Sequence, residues 1–116
     1  MRLTARNATR DRVLGDAVRV ADSFASRARG LLGAERLPPG EGLWIARCRS
    51  IHSFGMRFAF DALFLDRGGT VIAVYRRFAR NRVSRMFARA RGVLELPAGT
   101  IEGSGTEVGD VIELLP

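Results

Sequence analysis

Short apolar runs separated by glycine, proline and Gly-Asp turns dominate the chain, a pattern that predicts strands rather than long helices. "RVLGDAVRVA" predicts a hairpin, with Gly15-Asp16 as a two-residue turn between Val-rich arms. "SFASRARGLLGAE" predicts a helix. Ser23 is placed to cap it, Phe24, Ala28, Leu31 and Leu32 mark an apolar face, and Gly33 is placed to end it. "RLPPGEG" is a loop, because its prolines lack the N–H that a ladder needs. "LWIARC" predicts a strand, and "RFAFDALFLDRGGTVIAVYR" a hairpin turning at "DRGG". "GVLELPAG" and "VGDVIELL" predict two more strands, the last entered through a tight turn at Gly109-Asp110. If "NRVSRMFARA" is helical, Asn81 caps it and Val83, Met86, Phe87 and Ala90 form an apolar stripe. The sum is a mainly β (α+β) fold, compact and barrel-like or built on a strongly bent sheet, of about seven short strands with one or two short helices.

One residue breaks this pattern. In "FAFDALFLD", Phe58, Phe60, Ala62 and Phe64 fall on one strand face, and Ala59, Asp61, Leu63 and Leu65 on the other. Both faces are apolar, so Asp61 is expected in dry surroundings and in need of a partner, since an unpaired buried carboxylate costs several kcal/mol. His52, Arg57 and the backbone N–H groups of "HSFGM" are the candidate partners. Asp61 then either ties down that loop or orients His52 as the acid of a triad does. Gly55 marks a positive φ or a close backbone approach in the same loop.

Length and composition set the frame around these elements. A chain of 116 residues is expected to form one domain, 1–116, that buries roughly two-thirds of its surface. It has no apolar run of membrane-spanning length, and "MRLTARNATRDR" lacks the apolar core of a secretory signal. One cysteine excludes an intramolecular disulfide. A cytoplasmic location is the expectation.

Charge is unevenly spread. Every basic residue is arginine, and residues 68–94 contain no acid. Arg76, Arg77, Arg80, Arg82, Arg85, Arg89 and Arg91 lie within that span and account for the whole net charge of +7. Such a patch concentrates anionic partners, with Arg77, Arg80, Arg82, Arg85 and Arg89 as candidate anion-binding residues. A solvated helix face accounts for the same arginines without any partner.

The candidate chemistry gathers around "CRSIHSFGM". Cys48 and His52, the one cysteine and the one histidine, invite a Cys-His nucleophile. In an extended segment the two would stand about 13 Å apart, so a sharp turn is required to join them. Cys48, His52 and Met56 are evenly spaced as soft ligands for Cu(I), but each has an ordinary packing role, and no metal or other cofactor is expected. Trp44, Phe54 and Met56 supply apolar surface beside His52, as core or as the wall of a small pocket. The glycines of "EGSGTEVGD" read as turn chemistry rather than a phosphate cradle.

"FASRARGLLGAERL", "GEGLWI", "IHSFGMRFAFDALFLDRGGTVIAV", "VLELPAGT" and "VGDVIEL" resemble, in order, the family called domain of unknown function 192, from about residue 24 to 114. The resemblance implies a compact, mostly β domain and no particular reaction. Its pattern points to Arg29, Gly30, Leu31, His52, Phe54, Met56, Asp61, Asp66, Glu95, Gly99, Gly109 and Asp110. Two departures stand out: Ala59 and Phe60 replace the Pro and Ile that precede the strand Asp, and the loop that often carries prolines is here the arginine segment.

The reading these residues support first is a non-enzymatic ligand-binding or accessory domain. Its ligand residues would be Trp44, His52, Phe54, Met56, Asp61 and Glu95, with an arginine flank for a small anionic ligand or an acidic protein. A second reading is a small hydrolase or transferase with His52 as general base, Asp61 orienting it, and Ser53 or Cys48 as nucleophile. A third is a nucleic-acid-binding module acting through residues 76–91, which needs exposed stacking aromatics there.

Overall fold

The computed structural model describes residues 2–116. Its elements run β1 (Arg2–Asn7), β2 (Arg12–Ala21), α1 (Phe24–Arg29), β3 (Glu41–Ala46), β4 (Phe60–Leu65), β5 (Val71–Phe78), β6 (Gly92–Pro97), α2 (Thr100–Ser104) and β7 (Ile112–Leu115). The strands form one seven-stranded sheet ordered β5-β4-β6-β3-β2-β1-β7. Neighbours are antiparallel, except that β2 and β3 run parallel. Those two are joined through α1, the kind of crossover a parallel pair needs. The sheet curls until Thr70 meets Val111 in an isolated bridge. There Val71 N–H donates to the Asp110 carbonyl and Ile112 N–H to that of Gly69. The result is the expected half-barrel.

Strand alternation splits the core in two. The concave face collects Ala5, Val18, Leu63, Leu65, Val71, Leu94, Leu96 and Ile112, with Ile101 of α2 closing one end and Trp44 packed against it. The outer face collects Leu43, Ile45, Phe60, Ala62, Phe64 and Val93, and is covered by Leu31, Ile51, Met56, Phe87 and Ala90 from the connecting segments. Every residue of β4 is buried, because that strand is packed on both sides.

Four elements differ from the sequence pattern. "RVLGDAVRVA" is one ten-residue strand, not a hairpin. Gly15 and Asp16 sit where β2 passes close to the Pro-rich loop, and the Asp16 and Ala17 N–H groups donate to the Gly40 carbonyl. The hairpin partner is instead β1, in the basic N-terminal segment. α1 begins at Ser23 with the expected cap and a reciprocal bond from Ser26, but stops at Gly30, whose φ of 52° ends it a turn early. The Phe24 side chain, part of its expected apolar face, lies outside what is described. "EGSGTEVGD" contributes its first residues to α2.

The largest difference is residues 81–90, which are not helical. Asn81 does not cap a helix: it takes a left-handed turn at φ 61°. The segment then runs extended beside residues 49–54, with Ser53 N–H on the Arg82 carbonyl, Ser84 N–H on that of Ile51 and Phe87 N–H on that of Arg49. The helical stripe does not form. Phe87 packs against Phe64 with centroids 4.7 Å apart, while Val83 and Met86 are 63% and 72% exposed.

Gly92 shows how tightly β3 and β6 meet. A methyl group there would collide with the Trp44 indole and with the Ile45 carbonyl 2.6 Å away. Gly92→Ala is expected to cost about 1–3 kcal/mol by overpacking. The check is a lower urea midpoint at unchanged slope.

Candidate functional site

Asp61 is built into the frame of the molecule. It is fully buried and sits on the concave face of β4 with Leu63 and Leu65. Opposite it, β5 carries one extra residue, and Arg77 takes a positive φ of 51° there, a bulge that turns its N–H onto Asp61 Oδ1 at 2.9 Å. Asp61 Oδ2 accepts from Gly99 N–H at 3.1 Å and from Ile101 N–H at 2.8 Å. Three backbone donors therefore satisfy one carboxylate. It ties β5 and the start of α2 to β4, not the "HSFGM" loop, and its partners are neither His52 nor Arg57. The expected Asp61–His52 pairing is not made, because strand alternation sets Asp61 on the face opposite the His52 loop.

Ser53 is equally committed. It is fully buried, its hydroxyl donates to the Ala79 carbonyl and accepts from Arg82 N–H at 2.9 Å. It fastens the arginine segment to the 49–54 strip and is not presented as a nucleophile. Trp44 also lies elsewhere than expected, packed with the concave core beside Asp66, Arg67 and Leu114.

The remaining candidates converge. Between the end of α1 and the outer face of the sheet lies a cavity of about 70 Å³, lined by Arg27, Arg29, Gly30, Leu31, Ile45, Cys48, Ile51, His52, Phe54, Met56, Phe60 and Glu95. This is room for roughly two waters or for the head of a small ligand. Period-2 extension explains the rim: Ile51 and Ser53 are buried, whereas His52 and Phe54 are exposed. Gly55, at φ 80°, lies close against Leu32, where an added Cβ would stand 2.9 Å from a Leu32 methyl. His52 stacks on Phe54 with centroids 5.7 Å apart, and its Nδ1 accepts from Phe54 N–H at 3.3 Å.

Glu95 is the polar centre of this cavity. It is 4% exposed, pairs in register with Leu43 and Ala62, and shares the outer face with Val93. Among the described residues no hydrogen bond or ion pair reaches its carboxyl, and burial pushes its pKa up to about 8. Arg27 borders the same cavity, and its Nε is buried with no hydrogen-bond partner among the described residues. The Cys48 thiol donates to the Ser50 carbonyl at 3.0 Å, and burial pushes its pKa up, the opposite of what activates a nucleophile. Among the described residues no three of His, Cys, Asp and Glu stand close enough to hold a metal ion.

The same rule that singled out Asp61 applies to Glu95. In "GVLELP" it stands alone between apolar neighbours on a strand whose two faces are both covered. That signal was present in the sequence, where family pattern alone had marked the residue.

The twelve motif positions divide cleanly. Arg29, Gly30, Leu31, His52, Phe54, Met56 and Glu95 line the cavity. Asp61 and Gly99 bond to each other. Asp66 caps the β4–β5 turn through Gly68 and Thr70 N–H. Asp110, following Gly109, binds Asn7 and Arg10. The anion-binding candidates Arg77, Arg80, Arg82, Arg85 and Arg89 are all exposed, and none has an ion-pair partner among the described residues. Phe78 is buried and Phe87 packs against the outer core, so neither is offered for base stacking.

Fold and cavity together define a small curled-sheet β protein with one buried glutamate lining a recess of mixed character. The chain belongs to the domain of unknown function 192 family, an uncharacterised ACR family whose model matches residues 5–114. A UPF0127 protein of Thermococcus sibiricus is 31% identical across an alignment that covers 92% of this chain and 71% of that one. A crystal structure of a protein of unknown function from Novosphingobium aromaticivorans superposes with a TM-score of 0.83 at 19% identity, over 96% of this chain and 82% of that one. A second, of a putative transcription regulator from Sinorhizobium meliloti, gives 0.80 at 24% identity, over 97% and 91%. At these identities the two structures share the fold. No helix among the described residues is long and apolar enough to cross a membrane.

Proposed function

We propose that this chain is a one-domain, cytoplasmic, non-enzymatic binding protein whose ligand enters the cavity between α1 and β6. The observation that carries the reading is Glu95: a residue only 4% exposed, whose carboxyl has no partner among the described residues and which lines a recess that opens beside His52 and Phe54. A polar group buried without a bond is costly, and a ligand that bonds to it recovers that cost. Asp61 and Trp44 take no part. The hydrolase reading lacks support on three counts: Asp61 is consumed by backbone donors, Ser53 by structural bonds, and the Cys48 thiol is kept protonated.

The arginine flank supports an anionic partner, since five exposed guanidinium groups there have no ion-pair acid among the described residues. An acidic protein surface fits this flank better than nucleic acid, because Val83 and Met86 are its exposed apolar side chains and Phe78 and Phe87 are turned inward.

A fragment screen followed by backbone amide shifts tests the pocket. Binding fragments are expected to move Cys48, Ile51, Met56 and Glu95 together and to leave Asp61 and Gly99 unmoved. A screen in which no fragment shifts the first group would remove the reading.

A further inference from the structure

Four exposed side chains form an apolar strip around the mouth of the cavity. Val83 and His52 stand opposite each other in an isolated antiparallel bridge, which sets their side chains on one face. His52 stacks on Phe54 with ring centroids 5.7 Å apart. Leu32 lies against Gly55, the next residue along, and shares the cavity rim with Phe54. Leu32, Phe54 and Val83 are 41%, 51% and 63% exposed. Single exposed apolar residues are ordinary on a protein surface, whereas a contiguous row of them marks a contact surface.

The strip has a fixed frame. Ser53 N–H donates to the Arg82 carbonyl at 2.9 Å and Ser84 N–H to that of Ile51 at 2.8 Å. The buried Ser53 and Ser84 hydroxyls accept from Arg82 N–H and Ile51 N–H, each at 2.9 Å. These bonds flank the Val83–His52 pair on both sides, so a partner meets a surface already ordered and binding costs little further entropy.

Charge selects the partner. At one end of the strip Arg29 lines the cavity with Leu32, His52 and Phe54. At the other, Arg80, Arg82 and Arg85 lie within three residues of Val83. All four arginines are exposed, and none has an ion-pair acid among the described residues. Glu35, the acid nearest Leu32 in sequence, faces Arg57 at 3.5 Å. A second copy of this chain would bring like charges against these arginines, which is repulsive. Nucleic acid needs free aromatic faces, but one face of Phe54 rests on His52 and the neighbours Leu32 and Val83 are aliphatic.

We propose that this strip docks an acidic protein segment in which Asp or Glu flank aromatic or aliphatic side chains. The apolar residues of the segment cover Phe54 and Val83, and its acids meet the arginines at either end. The inference rests on the acidic-partner reading of the arginine flank and gives that partner an apolar centre.

Random peptides displayed on phage and selected on the immobilised full chain test it. Selected sequences are expected to carry acids beside Phe, Leu or Trp, and a synthetic copy of one to shift the amides of Leu32, His52, Phe54 and Val83. Phe54→Ser and Val83→Ser should each weaken that peptide roughly tenfold, as should Arg82→Ser combined with Arg85→Ser. Raising the salt from about 0.05 to 0.5 M should weaken it in the wild type, and less in the arginine variant. All these positions are exposed, and unchanged amide dispersion will show that the variants are folded. Equal binding by acidic peptides without apolar residues, indifferent to Phe54→Ser, would overturn the apolar centre and leave the reading of the flank standing. Selected peptides without acids, or no selection above a bare support, would overturn both. Shifts confined to Cys48, Met56 and Glu95 would assign the peptides to the cavity and overturn the surface. Self-association lost in Val83→Ser would assign the strip to a second copy instead. An oligonucleotide or a phosphatidylserine vesicle that binds more tightly than the selected peptide, and is lost in Phe54→Ser, would likewise overturn a protein segment as the partner.

Discussion

Glu95→Gln is expected to stabilise the protein, and by more at pH 8 than at pH 5. In the unfolded chain the Glu95 carboxyl titrates near its ordinary 4.5, whereas burial pushes it to about 8 in the folded state. Between those values the folded protein holds a proton that the unfolded chain has lost, so stability falls as pH rises through this window. The contribution is fully present below about pH 4.5 and gone above about pH 8. Gln cannot titrate, so the variant escapes the loss. The difference should grow by up to about 1.4 kcal/mol per pH unit and level off at a few kcal/mol. Urea midpoints of both proteins from pH 5 to 9 measure it. Parallel curves across that range would mean that Glu95 is paired or hydrated in the folded protein, and the pocket reading built on it would be lost.

Asp61→Ala should produce a large loss of stability. Removing the carboxylate leaves the N–H groups of Arg77, Gly99 and Ile101 without their acceptor at a fully buried position. Each orphaned donor costs about 1–3 kcal/mol, and partial relaxation of the turn after β6 reduces the sum to about 3–5 kcal/mol. For a domain of this size that is a fall of roughly 10–20 °C in Tm. Asp61→Asn restores one acceptor but aims an NH2 group at the remaining donors, so it should recover part of the loss. Neither variant should alter ligand affinity at the cavity in protein that remains folded, because Asp61 and Glu95 lie on opposite faces of the sheet. A triad role for Asp61 makes the opposite prediction: activity or affinity lost at unchanged stability.

Much of the fold was legible in local pattern. The β4–β5 hairpin, β3, β6 and β7 each follow from an apolar run bounded by turn residues, and those signals act within a few residues. The Ser23 cap was legible for the same reason, since its partner Ser26 is three residues away. The departures have a common cause. "RVLGDAVRVA" contains a good turn signal, but β2 gains more by pairing with β1 on one edge and β3 on the other than by folding on itself. Residues 81–90 carry a helical stripe, yet extension lets their backbone pair with residues 49–54 and lets Phe87 reach Phe64 and Tyr75. In both cases long-range pairing overrides a local preference worth a few tenths of a kcal/mol per residue.

The site divides along the same line. Alternation marked Asp61 as out of place in an apolar strand, family pattern alone marked Glu95, and composition ruled out an intramolecular disulfide. Their roles depended on what each faces. Asp61 meets three N–H groups because a bulge in β5 and the turn after β6, 16 and 40 residues away, deliver them. Glu95 meets none among the described residues, because α1 and the His52 loop close over the sheet there and leave a gap. Adjacent strands carrying similar acids thus hold a brace on one face and an unpartnered carboxyl on the other. That choice belongs to the curl of the sheet and its coverings, since residues distant in sequence decide whether a buried carboxyl finds a partner.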